Sequence, residues 1–152
     1  MCLPVKPFKI EREWKHAGLS CAVVLAREAA HRCGYVRVPP NHPAHGKGYD
    51  DVDVDIHGGL TFAEIEPCTE HEDGQGHWFG FDCVHYMDNS YDPSARVEDM
   101  TTEKGRAVLK SHRECERKYP MPHRQHYWTL PEVIAETERL AEQLSTIKPS
   151  SA

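Results

Sequence analysis

At 152 residues the chain is long enough for one ordinary domain and short for two. A formal charge of −6 and a pI near 6.0 argue against a general DNA or RNA binder, which needs clustered Lys and Arg to neutralise phosphates. A pocket for one anionic small molecule answers to local potential and stays open, while no apolar run reaches the roughly 18 residues of a membrane span.

The opening stretch "MCLPVKPFKIEREWK" lacks the apolar core of a secretory signal, so a cytoplasmic protein is expected. On that expectation Cys2, Cys21, Cys33, Cys68, Cys83 and Cys115 are reduced thiols, several of them buried as small hydrophobes. Eleven histidines is the unusual count; spread over the whole chain, most are expected at the surface.

The apolar run from Leu19 to Ala26 and the segment "CGYVRVP" (33–39) are rich in β-formers. The short "REAAHR" between them predicts a hairpin, with a helix over 20–32 as the alternative. "PPNHPAHGKGYDD" (39–51) holds three prolines and two glycines and reads as a loop. "DVDVDI" (51–56) then alternates strictly. It predicts a strand with Val52, Val54 and Ile56 toward a core and Asp51, Asp53, Asp55 and His57 on the other face. Gly58 and Gly59 follow, permitting a left-handed turn, a bulge or a close approach.

An acidic, turn-rich connector (66–76) leads to "HWFGFDCVH" (77–85), the most aromatic strand, expected antiparallel to the aspartate strand. Residues 89–125 read as a long polar excursion, a candidate flap, with a short helix within "TTEKGRAVLKSHRECERKY". "TLPEVIAETERLAEQL" is a helix: Thr129 and Glu132 have capping-box spacing and Pro131 sits in the first turn. Val133, Ile134, Thr137, Leu140, Ala141 and Leu144 form its apolar face. The expected architecture is α+β: one domain over residues 1–148, an antiparallel sheet of about four strands packed against the C-terminal amphipathic helix, and a frayed tail at 149–152.

A row of like charges on one strand face is costly unless water, a metal or donors compensate it. One reading is a solvated sheet face, the ordinary outcome for an antiparallel sheet. The other is a ligand site built from Asp53, Asp55, His57, Gly58, Gly59 and Thr61, with Trp78 and Asp82 from the next strand and Lys47 and Tyr49 from the proline loop above. Asp82 and His85, three apart, face opposite ways on a regular strand. Both join the site only if the strand ends or bulges near Cys83. Asp82 needs a partner if buried, and His57 is the expected one.

A divalent metal on Asp55, His57, Asp82 and His85 is the alternative use of the same residues, although no paired Cys-x-x-Cys or His-Glu-x-x-His motif is present. Cys83 lies within an aromatic strand, where a thiol is usually inert. "HGKGYDD" lacks the spacing of a phosphate-binding glycine loop.

The stretches "CGYVRVPPNHPAHGKGYDDVDVDIHGGLTF" and "HWFGFDCVH", with the closing helix, resemble a family of small proteins encoded by bacteriophages and prophages. The resemblance spans about residues 18 to 88 and the last helix, and brings no catalytic residues with it. It implies a phage accessory protein in the cytoplasm of the infected host, of a size and setting common among counter-defence genes. The expected function is binding without turnover: sequestering a nucleotide-like small molecule such as an immune signal, or inhibiting a host defence protein. A small metal-dependent hydrolase with Asp and His ligands is the alternative, and a structural or adaptor phage protein the third. No cofactor is expected in the binding reading, and a homo-oligomer is compatible with all three.

Overall fold

The computed structural model describes residues 2–5, 9–122 and 126–149. β1 (Lys9–His16) and β2 (Leu19–Leu25) form a hairpin closed by Ala17 and Gly18, with φ of 52° and 78°. Two consecutive left-handed residues make the tight turn whose twist matches the strands. β3 (Arg32–Val38) returns antiparallel to β2, as the hairpin spacing predicts, in place of the helix over 20–32. β5 (His77–Asp82) lies beside β3, and the short β4 (Phe62–Ile65) takes the outer edge. The sheet order is β1-β2-β3-β5-β4 with every neighbouring pair antiparallel. The fold is therefore α+β, with five strands where about four were expected.

α1 spans Glu103–Lys118 and α2 spans Leu130–Ser145. The Thr129/Glu132 capping box forms, with Pro131 in the first turn. α2 lies across β2 and β3 and buries Val133, Thr137, Leu140, Ala141 and Leu144 completely, with Ile134 at the core margin. Its approach depends on Gly34, where a Cβ would strike the Thr137 hydroxyl and the Phe81 ring.

The aspartate segment corrects one expectation. After a 3-10 turn at Tyr49–Asp51 it joins no strand ladder. The alternation holds all the same: Val52 and Ile56 are buried while Asp51, Asp53 and Asp55 face water. Side chains of α2 take the backbone groups that a partner strand would have taken. Gln143 Oε1 accepts from Asp55 N–H, Arg139 and Gln143 donate to the Asp55 carbonyl, and Glu136 Oε1 accepts from His57 N–H. That role accounts for a glutamate buried within the helix face. The antiparallel neighbour of β5 on this side is β4.

The polar excursion is better ordered than its composition suggests. α1 runs sixteen residues, capped by Thr102, and Leu109 packs with Ala30 and Tyr91 in a small second core. The Glu28 carboxylate accepts from the backbone and hydroxyl of both Thr101 and Thr102, tying the helix start to the β2–β3 connection. Beyond Pro149 the expected frayed tail lies outside the described residues, as do residues 123–125 of the excursion.

The cysteines correct a second expectation. Cys2 and Cys68 are disulfide-bonded, with Cα atoms 5.7 Å apart; Cys21, Cys33, Cys83 and Cys115 are free. Leu3 packs on Ala22, Val24, Tyr35 and Trp78, on the sheet face opposite α2, which carries Cys2 to the β4–β5 connector. No helix among the described residues is long and apolar enough to cross a membrane.

Candidate functional site

β5 stops at Asp82, so the chain turns where the parity argument required it to. His85 swings back until Nε2 lies 3.5 Å from Asp82 Oδ1. The seat for its ring is Gly58, with φ of 68°, where a Cβ would fall within the imidazole. Gly59, with φ of 77°, closes the turn by donating its N–H to the Ile56 carbonyl at 3.0 Å. The paired glycines thus answer to two demands, a left-handed backbone and a close approach.

His57 stands next to His85, ring centroids 5.0 Å apart, and against Trp128 at 4.2 Å. Its Nε2 lies 2.7 Å from Asp88 Oδ2. Asp88, 3% exposed, also accepts from His85 N–H at 2.9 Å and from the Trp128 indole N–H at 3.1 Å. A carboxylate only accepts, so the hydrogen on the His57–Asp88 bond belongs to His57 Nε2.

On the far side of Asp82, residues His31, Cys33, Tyr35, Thr61 and Phe62 help to enclose a recess of about 250 Å³. Asp82 Oδ2 accepts from the Thr61 hydroxyl at 3.1 Å and Oδ1 from Val84 N–H at 3.1 Å, which leaves acceptor positions on both oxygens. Tyr35 and Phe62 meet edge to face at 5.3 Å and make an aromatic wall. The Tyr35 ring lies over Gly80, where any side chain would collide with it.

Burial works against charge on the titratable walls. Burial pushes the Cys33 thiol up to about 11, with the Asp82 charge adding to it. Burial and then neighbouring Cys33 raise the Tyr35 phenol. Burial lowers His31 against the pull of Asp82, and Arg27 pushes the same way as burial. Asp82 is the acidic residue of the lining, and neither Lys nor Arg is among the described lining residues.

The structure therefore gathers Thr61, Asp82, His85, His57, Gly58 and Gly59 at one end of the sheet. It does not bring the other candidates there. Asp53 is exposed, and the Asp55 side chain is 98% exposed. Lys47 and Tyr49 face solvent, and Trp78 is buried with its indole N–H on Glu66. His57 pairs with Asp88 instead of Asp82. Asp55, His57, Asp82 and His85 do not converge as a metal set; among the described residues, the group of three with ligand atoms all within 4.8 Å is Cys2, Cys68 and His71.

The proline loop is clamped down by His42 and His45 of its own and by His77 of β5. His42 Nε2 lies 2.9 Å from the Leu144 carbonyl while Nδ1 accepts from Ala44 N–H. His45 Nε2 reaches the Gln75 carbonyl at 2.8 Å, and His77 Nδ1 accepts from Gly46 N–H at 2.7 Å. Burial, then His45, lowers the proton affinity of His77. Cys83 is pushed well above the ordinary thiol range, first by burial and then by Asp88, so it is a poor nucleophile.

Sequence reasoning missed Asp88, Trp128, His31, Cys33 and Tyr35. Asp88 follows His85 by three residues in a turn, and its side chain accepts from the His85 N–H. Nothing local marked Trp128. No family model, curated protein or solved structure matches the chain.

Proposed function

We propose that this chain binds one base-sized ligand, without turnover, in the recess at the end of the sheet. The observation that carries this reading is a single carboxylate, Asp82, set among aromatic walls and neutral neighbours. A carboxylate in such a setting suits a planar ring with adjacent N–H donors, as on the donor edge of a guanine-type base. Size decides how much of a ligand enters. At about 250 Å³ the recess falls just below the roughly 300–1,000 Å³ of sites for drug-sized molecules, so it suits one base and not a dinucleotide. A phosphate would remain outside, where exposed Arg27 stands near His31.

The resemblance to phage-encoded proteins supports a counter-defence role in the infected host, with a nucleotide-derived signal as the captured molecule. Inhibition of a host defence protein would not need the recess. The Asp88–His57 pair favours a second reading, a small hydrolase in which His57 and His85 exchange protons with a substrate. A covalent route through Cys83 is disfavoured, since the thiol is buried and hard to ionise.

Calorimetric titration with guanosine, adenosine, cytidine and uridine tests the proposal, followed by mass measurement of each nucleoside. Guanosine is expected to bind and be recovered unchanged. Asp82→Asn removes hydrogen bonds to a charged acceptor, worth about 1.5–3 kcal/mol, so affinity should fall roughly 10- to 150-fold. Failure of every nucleoside to bind, or binding indifferent to Asp82→Asn, contradicts it. A changed ligand mass moves the protein to the hydrolase reading.

A further inference from the structure

We infer that Cys2, Cys68 and His71 form a thiolate–imidazole site for a zinc-like cation when the Cys2–Cys68 bond is reduced. The site lies on the opposite sheet face from α2, away from the His57–Asp88 pair, and does not depend on the nucleoside reading. One ring nitrogen of His71 and the two sulfurs lie within 4.8 Å of one another. A tetrahedral zinc with Zn–S near 2.3 Å and Zn–N near 2.0 Å places its ligand atoms roughly 3.5–3.8 Å apart. Once the bond is reduced its two sulfurs must separate to that spacing, and Cα atoms 5.7 Å apart leave room for it.

Three further features suit a metal. Cys68 and His71 are separated by two residues, the spacing by which one turn offers two ligands. Glu66, whose side chain is fully buried, has Oε2 3.7 Å from His71 Nε2. Ligating imidazoles commonly have such a carboxylate as an orienting neighbour. The three ligands are half-buried or exposed, which admits a water as the fourth.

The chemistry balances simply. A dithiol reductant supplies two electrons and two protons to the disulfide and is itself oxidised to a cyclic disulfide. The two protein thiols then lose two protons as the divalent cation binds both sulfurs and one neutral imidazole nitrogen. The metal takes over what the disulfide does in the oxidised chain. It holds residues 2–5 against the β4–β5 connector, and with them Leu3 over Tyr35 and Trp78. The N-terminal segment would therefore be clamped in both redox states.

The test uses the full chain, reduced with a dithiol, desalted anaerobically and titrated with zinc against a chromophoric chelator. One equivalent per chain is expected, with thiolate-to-cobalt charge-transfer bands when cobalt replaces zinc. Loss of a supporting neighbour alone typically costs about 10- to 100-fold in metal affinity, so Cys68→Ser and His71→Ala should each cost at least about tenfold. Cys115→Ser should change nothing. In the unmodified reduced protein, zinc should also shield Cys2 and Cys68 from alkylation, a readout that needs no variant to fold. Substoichiometric zinc, equal binding by the oxidised chain, or unshielded Cys2 and Cys68 overturns the inference.

Discussion

Asp88→Asn probes the centre of the His57 cluster while preserving its shape. The carboxylate accepts from three donors: Oδ2 from His57 Nε2 and His85 N–H, Oδ1 from the Trp128 indole. An amide brings two hydrogens of its own. They must point either at the pair of donors or at the single one, and facing Trp128 creates the fewer conflicts. One hydrogen bond is then lost and two donors are opposed in a site that is 3% exposed. The expected cost is about 1–3 kcal/mol, a fall in Tm of roughly 3–10 °C for a chain of this size. Trp128→Phe alone should also destabilise, because it strips a donor from a buried carboxylate. Made in the Asp88→Asn background it should cost less, since the opposed indole N–H is gone. Urea denaturation followed by far-ultraviolet circular dichroism closes the double-mutant cycle, with an expected coupling of about 1 kcal/mol or more. Additivity within about 0.5 kcal/mol would refute the assigned hydrogen bonding.

Other expectations follow from packing and titration. Gly34→Ala drives a methyl into Thr137 and Phe81 and should cost about 1–3 kcal/mol by thermal melting, whereas Gly46→Ala meets no atom within 4 Å and is penalised only for its φ of 84°. Of the free thiols, only Cys115 is exposed, while burial pushes Cys21 up to about 12 and Cys33 up to about 11. A disulfide-exchange reagent should therefore find one fast thiol in the native oxidised chain and four after denaturation; three fast thiols would contradict the burial. His77 has a lowered folded-state value, so its contribution to stability is complete above the unfolded value of 6.5 and is lost as pH falls through the lower folded one. His77→Phe should flatten the slope of stability below pH 6.5, and a slope unchanged from wild type would place the acid sensitivity elsewhere.

α2 was legible because its signals are local: a cap, a proline and an apolar face within sixteen residues. The β2–β3 hairpin was readable for the same reason, two β-rich runs and a short break. The aspartate segment shows where such reading stops. A period of two reports an extended chain with one side buried, and residues 51–56 satisfy that description against α2 side chains with no ladder. β4 escaped notice at four residues, although it decides which edge of β5 is taken. At the site, parity correctly required the strand to end near Cys83, but the acid that partners His57 came from the turn beyond. Trp128 reaches Asp88 across forty positions and Cys68 reaches Cys2 across sixty-six. Neither contact leaves a local trace in composition or spacing.

The central claim is a place as much as a ligand: the recess beside Asp82, not the proline loop or the row of aspartates. Amide chemical-shift mapping of the labelled protein during a guanosine titration locates binding directly. Perturbation centred on Tyr35, Thr61, Phe62 and Val84 is the predicted result; shifts centred on residues 39–55, or none at saturating nucleoside, would contradict it.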